Sequence, residues 1–327
     1  MAYSAEVVRR ARRRLEEQKE QKKAETAAKL QQIYAELPHI RELDAQLRRT
    51  MILAAQAVFT QGDEGKMAME EAKKANLALQ KQRKAAIDAR FGPDFLDESE
   101  ICDRCGGTGY LGSHMCNCLM ELCRQEQKKE LSLLQCGEGD FEQFKLDYYP
   151  AQVDSRYGAS PRTIMQKNLE LSKRFVRNFG AGNLLFVGGT GLGKTYMSAC
   201  IARSVADGGH SVAYEPAGHL FAKLERNRFN PSTETEEDIR RLQECDLLIV
   251  DDLGTELPGN FVTAALYGLL NDRLLAGKSM VISTNLNIDE IAQRYSPQIA
   301  SRLQGHFKVL PFVGEDIRVM KNRGIVF

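Results

Sequence analysis

Residues 183–202, NLLFVGGTGLGKTYMSACIA, constrain the fold of this chain more than any other stretch. The apolar run Leu184, Leu185, Phe186 and Val187 ends in a glycine-rich turn, and residues compatible with a helix follow. Gly188, Gly193, Lys194 and Thr195 fit G-x-x-x-x-G-K-[ST], with Gly189, Thr190, Gly191 and Leu192 completing the loop. Each position has a mechanical job. Glycines let backbone N–H groups curl around a β-phosphate where a Cβ would block the approach. Lys194 is placed to reach the β- and γ-phosphates, and the Thr195 hydroxyl to ligate Mg²⁺. The helix that starts here turns its positive end toward the anion. A strand before, a helix after and an intact Lys-Thr pair predict ATP with Mg²⁺ as the ligand, against a bare turn that binds nothing.

The rest of the chain sets the context. Its 327 residues leave room for roughly two domains. A net charge of +1 announces no nucleic-acid binder by composition. The N-terminal MAYSAEVVRRARRRLEEQKEQKK is charged without an apolar core, unlike a secretory signal. No run approaches the ~18 apolar residues of a membrane span, so a soluble, cytoplasmic protein is expected. Five of the eight cysteines crowd into 102–123, which favours a metal over a disulfide framework.

From residue 3 to about 90, Ala, Glu, Lys, Gln, Arg and Leu dominate, which predicts helices over roughly 3–36, 39–60 and 64–90, broken near Pro38 and at Gly62–Gly65. In the second, Ile40, Leu43, Leu47, Ile52 and Ala54 are expected to form one buried stripe. The first is polar nearly all round, as a solvated helix or one that packs on a partner. Its Arg9, Arg10, Arg12, Arg13 and Arg14 precede Glu16, Glu17 and Glu20 and read as a solvated charged face rather than a phosphate contact.

Phe91-Gly92-Pro93 leads into a cysteine-rich module over 101–136. Cys102 and Cys105 form a C-x-x-C knuckle, and Cys116 and Cys118 a tighter pair after ten intervening residues. Four thiolates close a tetrahedral site, so a structural Zn²⁺ is expected, with no open position for substrate. Gly106, Gly107 and Gly109 suit the turns, and His114 and Cys123 are reserve ligands. A redox pair is the rival reading, but the strand-to-helix setting it needs is missing. Cys136, Cys200 and Cys245 read as isolated buried thiols.

A helix over 119–134 comes next. Phe141, Phe144, Tyr148 and Tyr149 read either as an adenine pocket or as core, and a helix over 164–179 reaches the phosphate loop. Beyond the loop, strands at 211–215, 247–250, 280–284 and 307–312 alternate with helices, including 217–228, 235–244, 260–276, 288–294, 297–303 and a tail from Glu315. Such alternation predicts an α/β fold with a parallel sheet covered on both faces and ligands at the C-terminal strand ends.

Leu247–Val250 run into Asp251-Asp252, an apolar strand that ends in carboxylates in the Walker B manner. Asp251 is expected to hold Mg²⁺, directly or through water. Asp252, or nearby Glu256, would orient the attacking water. Aspartate is one methylene shorter than the usual glutamate, which predicts slow turnover. Asn285, at the end of the strand between the two Walker elements, either contacts the γ-phosphate or holds the water, or else caps the following helix.

The set GGTGLGKT, LLIVDDLG, ISTN and SRLQGHFKVLPFVGEDIR resembles AAA+ ATPases of the DnaC/DnaI helicase-loader and IstB transposition-helper group, over residues 141–327. The resemblance implies an AAA+ P-loop ATPase with a five-stranded parallel sheet, and it makes Asn285 a sensor 1, Arg302 an arginine finger offered to a neighbouring subunit and Arg318 a sensor 2. The chain stops nine residues after Arg318, consistent with the vestigial lid of that group. The amino-terminal half, residues 1–100 with the cysteine module, resembles the helical, zinc-binding, helicase-gripping region of the DnaI type. Single-stranded DNA is then expected near Lys223, Arg226, Arg228 and Phe229, where charge and an aromatic ring mix. The implied function is ATP-dependent loading of a replicative DNA helicase onto single strands, by subunits that self-associate and hydrolyse ATP slowly unless partner or DNA stimulates them. The alternatives are an IstB-like transposition helper and an ATP-gated adaptor with little turnover.

Overall fold

The computed structural model describes residues 3–59, 63–132 and 140–323, so Cys136 lies outside the described residues. Two compact units divide the chain, Arg13–Cys118 and Met1–Arg12 together with Leu119–Phe327. No helix among the described residues is long and apolar enough to cross a membrane.

Three helices come first: α1 (Ala5–Glu36), α2 (His39–Phe59) and α3 (Asp63–Phe91). Pro38 separates the first two because its ring bars the helical conformation at the residue before it. Ile33, Ile40, Leu43 and Ile87 bury together, and Asp44 accepts from the Tyr34 hydroxyl at 2.5 Å beside the Arg83 guanidinium at 2.6 Å. Two expectations need correction. Ile52 is 57% exposed rather than part of the α2 stripe. At about 100° per residue it lies half a turn from Leu43, whereas Ala54 and Ala57 return to Leu43's face. Helix α1 is not solvated all round either. Val7, Ala11 and Leu15 are buried at helical spacing, a stripe that the small Ala11 hides from a search for large aliphatics. Arg10 faces Glu126 and Glu130 at 3.7 and 3.1 Å, so it is half-buried among carboxylates rather than solvated.

After a short hairpin of β1 (Tyr110–Leu111) and β2 (His114–Met115) comes α4 (Asn117–Ser132). The Gln127 side chain donates to His210 O and accepts from Val212 N–H, both at 3.1 Å. Two 3₁₀ turns, Phe141–Gln143 and Leu146–Tyr148, precede α5 (Pro161–Arg177). That helix starts earlier than expected because Ser160 accepts from Thr163 N–H at 3.2 Å and Pro161 fills the first turn.

The alternating elements then follow in order: β3 (Asn183–Val187), α6 (Lys194–Asp207), β4 (Val212–Pro216), α7 (Ala217–Phe229), α8 (Thr233–Glu244), β5 (Leu247–Leu253), α9 (Asn260–Leu275), β6 (Ser279–Thr284), α10 (Ile288–Arg294), α11 (Pro297–His306), β7 (Phe307–Pro311) and α12 (Ile317–Arg323). The five strands form the expected parallel sheet in the order β4-β5-β6-β3-β7. Successive side chains leave opposite faces, and both faces are apolar. Leu184, Phe186, Ile249 and Val281 pack in one cluster with Met197 and Ile201 of α6. Leu185, Val250 and Ile282 pack in the other with Leu220, Leu266 and Leu303. Each fully buried Leu or Ile contributes roughly 1.5–3 kcal/mol, so the sheet is a rigid base for whatever sits on its strand ends.

Strand β5 runs past its expected end at Val250 through both aspartates, with a register irregularity between Val250 and Leu253 where Leu253 pairs with Thr284. Such bulges re-aim side chains. The tail helix begins at Ile317 rather than Glu315, because Asp316 Oδ1 accepts the Arg318 N–H at 2.8 Å and caps it.

Candidate nucleotide site

The sheet order sets the site. Strand β6 lies between β3 and β5, so its C-terminal end separates the phosphate loop from the aspartates. Gly191 and Gly193 hold φ of 71° and 88°, values that L side chains seldom adopt. A Cβ on Gly188 would come within 2.2 Å of Phe312 O. Gly189 and Thr190 are exposed at the crest of the loop, and Thr195 is the second residue of α6. This is a cradle of backbone ahead of a helix N-terminus, which fits a phosphate chain. Beneath it Tyr149 donates to Leu192 O at 2.9 Å and stacks on Phe144. Tyr149 is buried, so it serves as core support for the loop.

Lys194 is almost fully buried. Its Nζ donates to Gly188 O, Gly189 O and Asn285 Oδ1 at 2.7, 2.6 and 2.6 Å. Burial pulls its pKa below the ordinary lysine value, partly offset by Asp252 and Asp251. The ammonium is thus held by three neutral oxygens at the floor of a backbone cradle, with the Asp251 and Asp252 carboxylates near enough to favour its charge. Asn285 therefore meets the phosphate-loop lysine, and the cap of α10 is Asn287, which accepts from Glu290 N–H.

Asp251 is buried. Its Oδ2 accepts from the Tyr214 hydroxyl at 2.7 Å and its Oδ1 from the Ser283 hydroxyl. Asp252 holds a φ of 55°, and its N–H donates to Ser283 Oγ at 2.9 Å. Aspartate is among the few non-glycine residues that adopt left-handed backbone readily, as Asp94 does at a φ of 68°. Burial and the neighbouring Asp251 push the Asp252 carboxyl above its ordinary pKa, against the pull of Lys194 and Arg318. Glu256 is committed elsewhere. It accepts from Gly254 N–H at 2.9 Å and from the Tyr295 hydroxyl, and faces Arg294 Nε at 3.6 Å. Of the two carboxylates considered for water, only Asp252 faces the lysine.

Arg318 is exposed on α12, close enough for its charge to act on Lys194 and Asp252. The helix is seated on the loop, since Ile317 N–H donates to Gly191 O at 3.0 Å and the Asp316 carboxylate lies against Gly191. Arg302 sits apart on α11, stacked 4.2 Å over the Tyr267 ring and donating to its hydroxyl at 2.6 Å and to Asn271 Oδ1 at 3.4 Å. The residues expected near DNA split. Lys223 pairs with buried Glu215 at 2.5 Å, Arg226 is exposed, and the Arg228 guanidinium lies over both Phe229 and Phe261, 5.8 and 5.5 Å from the ring centres. Phe229 is 66% exposed.

The four cysteines of the Arg13–Cys118 unit converge. Cys102, Cys105, Cys116 and Cys118 place all their sulfurs within 4.8 Å of one another, with 3.8 Å for Cys102–Cys116 and 3.5 Å for Cys105–Cys118. Tetrahedral bonds of about 2.3 Å require sulfur separations of about 3.8 Å, so this donor set fits Zn²⁺. Gly106, Gly107 and Gly109 hold φ of 61°, 74° and 80°, and Gly109 N–H donates to Cys105 Sγ at 3.3 Å. Burial raises the Cys105 thiol, but that hydrogen bond and the neighbouring thiols draw it down to about 6. The reserve ligands are not among the four that converge: His114 Nδ1 meets Ser113 Oγ, and Cys123 is buried with its thiol raised to about 11, first by burial and then by Glu126.

Tyr214, Ser283, Asp316, Tyr267 and Phe261 escape the sequence reading. Only the two hydroxyls beside Asp251 carry a signal, as polar positions two residues beyond apolar ones on their strands.

Comparison with known proteins gives a consistent grouping. A family model described as IstB-like ATP binding protein matches residues 145–324. The chain is similar to an ATP-binding protein of insertion sequence IS21 from Pseudomonas aeruginosa, 25% identical over 146 residues, 43% of this chain and 54% of that one. It is also similar to the replicative helicase loader DnaC of Escherichia coli, 22% identical over 139 residues, 42% of this chain and 56% of that one. The chain spans about half the length of the curated relatives it matches. Among solved structures, the crystal structure of the DnaC helicase loader aligns at 19% identity with a TM-score of 0.44, covering 53% of this chain and 98% of that one.

Proposed function

The chain belongs to the family of IstB-like ATP binding proteins, and on that premise we propose that it is an AAA+ ATPase that loads a replicative DNA helicase onto single-stranded DNA. The observation that carries the enzymatic part is the meeting of Lys194, Asn285, Asp251 and Asp252 at three neighbouring strand ends. In this reading the amides of Gly188–Gly193 wrap the phosphates, Lys194 neutralises the β- and γ-phosphates, and Thr195 and Asp251 hold Mg²⁺, which when bound spreads the charge of the transferring phosphoryl group. Asp252 orients the attacking water and Asn285 faces the γ-phosphate. Arg318 adds charge from the same subunit. Arg302 adds it across an interface to a second copy, since a finger works only where developing charge can reach it. Zn²⁺ on the four cysteines has a structural role.

Partner capture is assigned to the amino-terminal helices. Met51, Ile52 and Leu53 on α2 and Met67 and Leu77 on α3 are more than half exposed and so open to a partner. Single-stranded DNA is assigned to the Arg228–Phe229 surface, and the work is cytoplasmic. Light scattering on the full chain mixed with the host's replicative helicase, with and without ATP, tests the reading. A complex is expected, weakened at least tenfold by Ile52→Glu. No complex in either nucleotide state sinks the loader assignment for that helicase. The insertion-sequence relatives favour a second reading, a transposition helper. Tighter binding to duplex than to single strands at stated salt, with capture of a transposase, would favour it.

A further inference from the structure

Asp251 sits on β5 between two neighbours that each contribute a hydroxyl on the same face of the sheet. Strand β4 supplies Tyr214, two residues beyond the core residue Val212, and β6 supplies Ser283, two beyond the core residue Val281. Each hydroxyl donates to a different oxygen of the Asp251 carboxylate. Ser283 does more, because its oxygen also accepts the N–H of Asp252 at 2.9 Å, the residue held at positive φ. Ser283 is fully buried. The arrangement fixes the rotation of one carboxylate and the backbone of the next with a single side chain.

We propose that Tyr214 and Ser283 are positioning residues that clamp the Asp251 carboxylate for Mg²⁺, with Ser283 also setting the backbone of Asp252. This rests on the reading of Asp251 as the Mg²⁺ carboxylate. An ionised carboxylate has about four acceptor sites on its two oxygens, so one hydroxyl on each leaves a lone pair on each for the metal or its water. Without the clamp the carboxylate turns among several rotations, and only some of them suit an octahedral ion that tolerates little distortion. Partners of this kind, one step behind a metal ligand, typically change metal affinity by 10–100-fold when removed. The two hydroxyls differ in reach. The Tyr214 hydroxyl donates to Asp251, so its loss acts on that carboxylate. Ser283 touches both acids, so its loss also leaves the Asp252 N–H without its acceptor.

The test uses the full-length protein and reads binding as well as turnover. Affinity for a fluorescent ATP analogue is measured in EDTA and across a Mg²⁺ titration, with Mn²⁺ binding to the protein–nucleotide complex followed by electron paramagnetic resonance. Tyr214→Phe is expected to raise the half-saturating metal concentration by roughly tenfold while leaving affinity in EDTA unchanged. Ser283→Ala is expected to do the same and also to lower kcat at saturating Mg²⁺, with Ser283→Thr restoring both. Thermal unfolding checks that each variant folds; should Ser283→Ala fail that check, Tyr214→Phe decides alone. Asp251→Asn is the control for the underlying reading. If it leaves the metal dependence untouched, the assignment of Asp251 falls and the clamp with it. If Asp251→Asn abolishes the dependence but Tyr214→Phe matches the parent, the clamp alone is overturned.

Discussion

Gly191→Ala tests whether the phosphate loop and the tail helix are one mechanical unit. Alanine at a φ of 71° costs about 1–2 kcal/mol for left-handed backbone. Its Cβ would also stand 2.0 Å from Asp316 Oδ1, a distance no side chain accepts, so the carboxylate must swing away. Asp316 Oδ1 then loses the N–H groups of Arg318 and Val319, now at 2.8 and 3.4 Å, and a lost helix cap costs about 1 kcal/mol. The single substitution should therefore cost about 2–3 kcal/mol. In an Asp316→Ala background the cap is already gone and so are the carboxylate atoms that the new Cβ meets first, leaving mainly the backbone part of about 1–2 kcal/mol. Denaturant unfolding of the four proteins, followed by circular dichroism, gives a coupling of about 1 kcal/mol by double-mutant cycle. Costs for Gly191→Ala that agree within about 0.3 kcal/mol in the two backgrounds would refute the seating of α12 on the loop.

Other outcomes follow from the same geometry. The Asp252 carboxyl is favoured in its protonated form by the fold, so its stabilisation is complete below the unfolded pKa of about 4 and is lost as pH rises through the folded value. Asp252→Asn should raise the melting temperature of the nucleotide-free protein at neutral pH, with the gain shrinking toward about pH 4, while ATP hydrolysis falls about 100-fold or more; scanning fluorimetry across pH and a phosphate-release assay check both. Metal analysis should find one zinc per chain, and Cys102→Ser should lower the melting temperature while nucleotide affinity stays within about twofold, because a structural zinc contributes folding energy; a thiol assay that finds the four cysteines metal-free in fresh protein counts against the site. Arg302→Ala should leave ATP affinity unchanged and lower turnover only in assembled protein, by about 10³-fold or more. Mixing it with Lys194→Ala subunits should restore part of the activity; no restoration argues against a finger acting in trans.

The sequence exposes what is local and hides what depends on register. Lys194, Thr195 and the loop glycines lie within one motif, and Asp251 ends an apolar strand, so spacing alone picks them out. Asn285 is legible as the end of a strand, but its contact with Lys194 needs β6 to lie beside β3, which spacing does not dictate. Tyr214 and Ser283 belong to different strands and meet Asp251 only through the parallel pairing. Glu256 reads as a candidate because it is near in sequence, yet Tyr295 and Arg294, some forty residues on, take it. Ile52 misleads through phase, since hydrophobicity alone does not say on which side of a helix a residue falls. The cysteine cluster is the counter-example, because the spacing of its ligands is nearly the whole of its geometry.

Gln127 bears on how this protein should be handled in pieces. It lies outside the family match at 145–324, yet its amide occupies the carbonyl of His210 and the N–H of Val212, and β4 is the outermost strand on that side. A strand whose outer hydrogen-bonding groups are open is a template for another chain. An ATPase fragment that begins at residue 141 or 145 would bare that template, along with the side of Arg241 that meets Glu130 at 3.3 Å. Such a fragment is expected to associate edge to edge and precipitate during expression, whereas one that begins at Leu119 keeps Gln127 on the edge of β4 and should precipitate less.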